Sequence, residues 1–377
     1  MMLTLMEGNE AVAWGAVTAG CRFYAGYPIT PATTIFNTML KLLPPLGEIC
    51  IQGEDEIASI GSCLGASMAG LKVMTATSGP GLSLFSEHIS FAIGSEIPIV
   101  IVDVQRLGPS TGSATRGADG DIQFMRWGSS GGQPVIVLAP VDVKDCFCLT
   151  IHAFNLAEEF RCPVSIASNK EIGMTKESID LATVPKPEIV QRRTPPKETS
   201  FMPFRIPQGR MVPDFLPFGH EILVRQTSST HGADGYITTN PEDIAATQER
   251  LKQKLESAVE RFCFHEAYVA EKAEDLIITY GITARTAVEV FKELRNTKHP
   301  VSLLVLKTLW PVPETLIKEK ASSAKRIIVL EMNVGQYVRE IERVLPDKKI
   351  HFYGCMNGKL ITPAKIRKVI ADAQSTE

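Results

Sequence analysis

The sequence predicts an α/β protein in which two parallel-sheet units are joined by a long connector. Three observations carry that prediction. Strand-like and helix-like stretches alternate through roughly the first 170 residues, prolines cluster between about Lys170 and Arg225 with no regular period, and the alternation resumes at Leu276. Strands alternating with helices over such lengths argue for a mostly parallel sheet covered on both faces. The expected division is 1–170, 171–270 and 271–377.

In chain order, Glu10–Gly20 reads as a helix and Arg22–Tyr27 as a strand. A helix over Pro31–Leu43 and a strand over Glu48–Gln52 come next. Asp55–Gly70 reads as a helix, Lys72–Thr77 as a strand, Leu82–Ser95 as a helix and Ile97–Val104 as a strand rich in β-branched residues. Val135–Ala139, the helix Asp142–Phe160 and the strand Val164–Ala167 close this unit. The connector from Lys170 carries Pro195-Pro196 among many other prolines, and Pro241–Val269 reads as one exposed, charged helix. The last unit alternates strands at Leu276–Tyr280, Val301–Leu306, Arg326–Leu330 and Ile350–Tyr353 with helices at Thr283–Asn296, Pro313–Ser322, Val338–Val344 and Pro363–Ala373. It reads as a smaller Rossmann-like sheet.

Bulk properties exclude several classes of protein. The 377 residues suggest roughly two or three units, and 44% hydrophobic with 21% charged residues describes a chain able to bury a large core. A net charge of −3 gives no electrostatic footprint for nucleic acid or anionic membrane. MMLTLMEGNEAVAW has neither the basic nor the long apolar region of a signal peptide, and the longest apolar runs are strand-sized. A soluble, cytoplasmic protein is expected. The eight cysteines form no Cys-x-x-Cys pair, so this chain is expected to carry neither an iron–sulfur cluster nor a structural zinc.

Familiar nucleotide and metalloprotease motifs are missing. Gly79-Pro80-Gly81 has Leu84 where a dinucleotide fingerprint needs its third glycine, and no Walker A or His-Glu-x-x-His occurs. Asp119-Gly120-Asp121 is similar to the opening of a magnesium–diphosphate motif but has no Asn-Asn downstream, and it reads as a solvated loop. Three segments instead place chemistry just past strand carboxyl ends, where open α/β sheets hold ligands. They are Gly26-Tyr27-Pro28-Ile29-Thr30-Pro31, Thr75-Ala76-Thr77-Ser78-Gly79-Pro80-Gly81 and Val102-Asp103-Val104-Gln105-Arg106. Thr30 and Pro31 suit the N-cap and N1 positions of a helix. Arg106 suits either a surface acid or a substrate carboxylate.

Gly53-Glu54-Asp55-Glu56 puts three acids ahead of IASIGSCLGASMAG, a helix apolar or small on every face. Such a helix is expected to be buried, which sets its acidic N-terminus against a crevice or an interface. Asp55 suits the N-cap. Glu54 reads as solvated, and Glu56 as a carboxyl that burial could keep protonated. The residues alone leave the three acids unresolved.

The stretches GYPITP, GEDEIASIG, TATSGPG, IPIVIVDVQRLGPSTG, LKTLWPVPE and EMNVGQY, in this order, resemble the alpha subunit of 2-oxoacid:ferredoxin oxidoreductases over nearly the whole chain. The likeness is to the 2-oxoglutarate branch, with the branched-chain branch as near neighbour. It implies a pyrimidine-type thiamine-diphosphate-binding domain over residues 1–170 and a transketolase-C-like domain over 271–377. Glu56 matches the glutamate that hydrogen-bonds the aminopyrimidine N1′ and favours the tautomer that activates the thiazolium. Thr30 and Arg106 match residues holding the keto-acid end of the substrate, and Tyr27, Pro28, Ser78, Gly79 and Pro80 fall in the cofactor-binding set.

The same resemblance implies decarboxylation of a 2-oxoacid, oxidation in two single-electron steps and transfer to coenzyme A. A beta subunit would supply Mg2+, the diphosphate site and a [4Fe–4S] cluster, with ferredoxin as acceptor and gamma or delta subunits as further possible partners. Pyruvate or branched-chain specificity, a non-catalytic scaffold and a non-redox thiamine enzyme are the alternative readings. Arg116, in the loop 109–117, is a candidate for a second substrate carboxylate.

Overall fold

The computed structural model describes residues 3–196 and 200–375. In chain order its strands are β1 (Thr4–Glu7), β2 (Phe23–Gly26), β3 (Ile49–Gln52), β4 (Val73–Thr77), β5 (Ile99–Gln105), β6 (Ile136–Leu138) and β7 (Pro163–Asn169). β8 (Lys176–Ile179), β9 (His265–Tyr268), β10 (Asp275–Tyr280), β11 (Val301–Leu306), β12 (Thr308–Trp310), β13 (Arg326–Glu331) and β14 (Lys349–Gly354) follow. One sheet has the order β12-β6-β7-β5-β4-β2-β3, a second β14-β13-β10-β11-β9, and β1 pairs with β8 alone.

From β6 to β3 every pairing in the large sheet is parallel. β5 is buried along its whole length, as its β-branched run requires. In the second sheet only the edge strand β9 runs antiparallel. β12 belongs in sequence to the second unit but pairs antiparallel with β6, so the second unit contributes an edge strand to the first sheet. The two units are thereby stitched together through backbone hydrogen bonds.

Several sequence expectations need correction. The helix expected over Pro31–Leu43 runs Thr33–Leu42, with Ala32 at its N-cap and no side-chain cap. Thr30 does not cap it. The loop is held by longer-range bonds instead, Arg106 Nη1 donating to the Thr30 carbonyl at 2.6 Å and Asn9 Nδ2 to the Pro31 carbonyl at 2.9 Å. The helix expected over Leu82–Ser95 is two, Gly79–Leu84 and Ser86–Gly94, meeting at Phe85. The charged helix from Pro241 stops at Glu256, and His265–Tyr268 is extended because it pairs with β11. Between Ile179 and Pro241 the described residues hold no helix or strand.

The helix Glu56–Met68 departs from expectation in an informative way. It is not buried all round: Ile60, Cys63 and Leu64 pack inward, whereas Ile57, Ala58, Ser62 and Gly65 face out. Uniform smallness and apolarity hid a real amphipathic division. The outward side is exposed, yet unlike an ordinary solvent face it carries no charge.

Candidate active site

The three acids ahead of this helix separate cleanly. Asp55 Oδ1 accepts the Ala58 amide at 2.7 Å, an N-cap bond, and Glu54 is exposed. Glu56 starts the helix and is 8% exposed. Its carboxylate makes no hydrogen bond among the described residues. It lies under the turn that follows β4. A Cβ built on Gly81 would stand 2.0 Å from Thr77 Oγ1 and 2.8 Å from Glu56 Oε1, so only glycine lets this backbone pass so close to the carboxyl. A Cβ on Gly79 would stand 3.0 Å from Asp121 Oδ2.

Arg106 follows the carboxyl end of β5 and is 7% exposed. One of its nitrogens bonds the Thr30 carbonyl, while Nε is buried without a partner. A buried guanidinium donor left open in this way is a costly arrangement unless a ligand completes it. Beside Arg106 lies a cavity of about 330 Å3 lined by Gly79, Pro80, Ser83, Asp121, Phe124 and Met356 among others.

The sequence-predicted residues are placed unevenly. Glu56 and the turn Ser78-Gly79-Pro80 adjoin, Ser78 is buried with an unpartnered hydroxyl, and Arg106 meets the backbone of Thr30. The Thr30 side chain itself is exposed, as is Tyr27 at 40%, while Pro28 is half-buried. Arg116 is exposed, with its stem against Gly358 rather than among the cavity-lining residues.

Asp119-Gly120-Asp121 is not a solvated loop. Asp119 is 2% exposed, accepts Asn169 Nδ2 at 2.7 Å, and is pushed up to about 7 chiefly by burial, its bond to Asn169 opposing that rise. The second unit holds this loop in place. Asn333 Nδ2 donates to the Asp119 carbonyl at 2.8 Å and to Tyr280 Oη at 2.8 Å, and Tyr280 donates to Glu331. Glu331 also accepts the amides of Tyr337 and Val338, and Gln336 bonds the Gly120 carbonyl. EMNVGQY is therefore a clamp from the second unit onto the loop that borders the cavity.

Asp103, Asp121, Phe124 and Met356 escaped sequence reasoning as site residues. Asp103 left a signal, a lone acid in the apolar run of β5. Phe124 and Met356 left none, because only the fold brings the turn after β14 to Gly120, where Met356 Cε stands 3.0 Å from a Cβ built on Gly120.

A buried carboxyl without an internal partner therefore lies beneath a turn cleared of side chains, and a buried arginine with an open Nε adjoins the cavity. Residues 14–250 match the family described as "Pyruvate flavodoxin/ferredoxin oxidoreductase, thiamine diP-bdg", and residues 273–366 match "Pyruvate:ferredoxin oxidoreductase core domain II". The chain belongs to this 2-oxoacid oxidoreductase family, and its first unit is a thiamine-diphosphate-binding domain. It is 42% identical over 342 residues, 90% of each chain, to the 2-oxoglutarate synthase subunit KorA of Methanothermobacter marburgensis. To the ketoisovalerate oxidoreductase subunit VorB of Methanothermobacter thermautotrophicus it is 32% identical, over 99% of each chain. Among solved structures it is similar to the 2-oxoglutarate:ferredoxin oxidoreductase of Magnetococcus marinus, bound to 2-oxoglutarate, coenzyme A and succinyl-CoA. That match has a TM-score of 0.92 at 33% identity and covers 98% of this chain but 65% of the other.

Proposed function

We propose that this chain is the alpha subunit of a 2-oxoglutarate:ferredoxin oxidoreductase, converting 2-oxoglutarate and coenzyme A to succinyl-CoA and CO2 while reducing ferredoxin. The observation that carries the reading is the Glu56 carboxyl, buried and unpartnered under the Gly79-Pro80-Gly81 turn. That cradle fits the aminopyrimidine of thiamine diphosphate, which Glu56, Tyr27, Pro28, Ser78, Gly79 and Pro80 would hold. When bound, the cofactor supplies a carbon nucleophile and an electron sink for the 2-oxoacid.

This chain's own contributions are binding and orientation. Glu56 would offer the ring nitrogen a carboxyl hydrogen-bond partner, which its buried position under the Gly81 turn leaves open. Arg106 binds the substrate carboxylate through its free Nε, a charge-assisted bond worth more than a neutral one. The loop carrying Thr30 closes the same end of the substrate, fixed by the bond to Arg106.

A beta subunit is assigned the diphosphate, Mg2+ and a [4Fe–4S] cluster, because the sequence holds no complete Gly-Asp-Gly…Asn-Asn motif and no Cys-x-x-Cys. The uncharged outer side of the helix Glu56–Met68 is a surface suited to that partner. Gamma or delta subunits would complete the assembly, and the cytoplasm is its proposed location; no described helix is long and apolar enough to cross a membrane.

The test is co-expression with the beta subunit. The complex should reduce a viologen dye given 2-oxoglutarate and coenzyme A, and Glu56→Gln should lower kcat by about 10²–10⁴. A complex that binds thiamine diphosphate yet turns over no 2-oxoacid refutes the reading. Likeness to the ketoisovalerate enzyme supports a second one, branched-chain specificity, which a substrate panel separates from the first.

A further inference from the structure

Asp103 lies at the carboxyl-terminal part of β5, fully buried, and neither of its carboxylate oxygens meets a hydrogen-bond donor. Its neighbour across the cavity wall is Asp121, whose Oδ2 also lacks a donor. The Asp121 amide is held by the side chain of Gln105, two residues beyond Asp103 on the same face of β5, so the loop sets the two carboxyls side by side, and each acts on the other's proton. Facing carboxyl oxygens are both acceptors, so they can bond only if one of them carries a proton. Arg106 is the cation beside both.

The other charged groups around the pair are few. Asp119 faces Asp121 from the same loop, Glu331 of β13 acts on Asp119 from the second unit, and Glu56 approaches from below the Gly81 turn. β4 and β7 present Thr77 and Ala167 beside Asp103 and no charge. The Asp121 amide is tied to Gln105 Oε1 at 2.9 Å, which fixes the loop relative to β5.

We propose that Asp103 and Asp121 share one proton and act as positioning residues that keep the Arg106 site electrically neutral, and so open to a 2-oxoacid carboxylate. With one proton between them, the pair and the guanidinium sum to zero. When that proton leaves, the same three groups carry a net negative charge against the wall where the substrate carboxylate docks. Burial is the main force holding the proton, since it penalises a second charge at the same place. The inference rests on the reading of Arg106 as the carboxylate anchor.

The reconstituted complex tests it. KM for 2-oxoglutarate should rise about tenfold between about pH 6 and about pH 9 while kcat follows its own profile. Asp121→Asn and Asp103→Asn, nearly isosteric and permanently neutral, should flatten that rise. A merely structural role would instead lower thermal stability and leave the slope of KM with pH unchanged. Infrared difference spectra of wild type minus the double variant Asp103→Asn/Asp121→Asn add a readout independent of turnover: carboxyls common to both samples, Asp119 included, cancel, and a protonated-carboxyl band of the pair should remain. A flat wild-type KM profile, or a difference spectrum without a protonated-carboxyl band, overturns the proposal. A complex with the band but no turnover of any 2-oxoacid fails the functional reading instead, so the two failures are distinguishable.

Discussion

Glu56 and Gly81 are placed so that the carboxyl of one occupies the space a side chain on the other would need. A methyl group on Gly81 would lie 2.7 Å from Glu56 Cγ and 2.8 Å from Oε1. Gly81→Ala is therefore expected to push the carboxyl aside and to cost about 1–3 kcal/mol in stability through overpacking. Cofactor titration of the reconstituted complex checks it, and weakened thiamine diphosphate binding is the expected outcome. Wild-type affinity with a displaced melting temperature would show that the contact is structural only.

Arg106 has one nitrogen committed to Thr30 and another left open, a division of labour that lysine cannot copy. In Arg106→Lys the single ammonium must choose between the loop and the substrate. KM for the 2-oxoacid is expected to rise by roughly ten- to a hundredfold, the equivalent of losing one charged hydrogen bond. Steady-state kinetics with the beta subunit present measures it, and an unchanged KM would remove Arg106 from the binding role.

Met356 reaches the cavity from the second unit, in the turn after β14, and shares its wall with Phe124. Met356→Ala enlarges this end of the cavity. Specificity, as the ratio of kcat/KM values, is expected to move toward branched 2-oxoacids by about tenfold, the scale of one or two methylenes in an apolar pocket. A substrate panel that keeps its rank order after the substitution would place Met356 outside the substrate's reach.

What the sequence revealed and what it hid follow one physical line. β5 was legible because a run of β-branched residues bounded by turn signals has few alternatives, and Asp55 was legible because capping is local chemistry. Thr30 was misread as a cap for the complementary reason. Its local pattern favoured a helix start, but the loop is held from a distance by Arg106 and Asn9. β9 and β12 owe their extended form to partners β11 and β6, which no window of their own residues contains. Asp119 illustrates the limit most clearly. Acids flanking a glycine look solvated until Asn169 and the EMNVGQY clamp are brought over them by the fold.

Glu96 anchors the connector to the first unit, and its charge gives that anchorage a defined dependence on pH. Its side chain is fully buried, with Lys254 Nζ at 2.8 Å and Arg250 Nη2 at 2.7 Å, while its carbonyl accepts Arg161 Nε at 3.0 Å. Burial alone would raise the carboxyl, but Lys254 and Arg250 outweigh it and hold it at about 2, down from 4.5. A depressed carboxyl contributes stability that is fully present above its unfolded value and is lost as pH falls through the folded one. The ionised form should thus be worth on the order of 3 kcal/mol at neutral pH, fading between about pH 4.5 and about pH 2. Glu96→Gln leaves two cations unpaired and is expected to cost about 3–5 kcal/mol near pH 7. Urea unfolding of both proteins should show that gap shrinking by more than half at about pH 3. A gap equal at both values would mean that Glu96 holds the helix Pro241–Glu256 through packing alone.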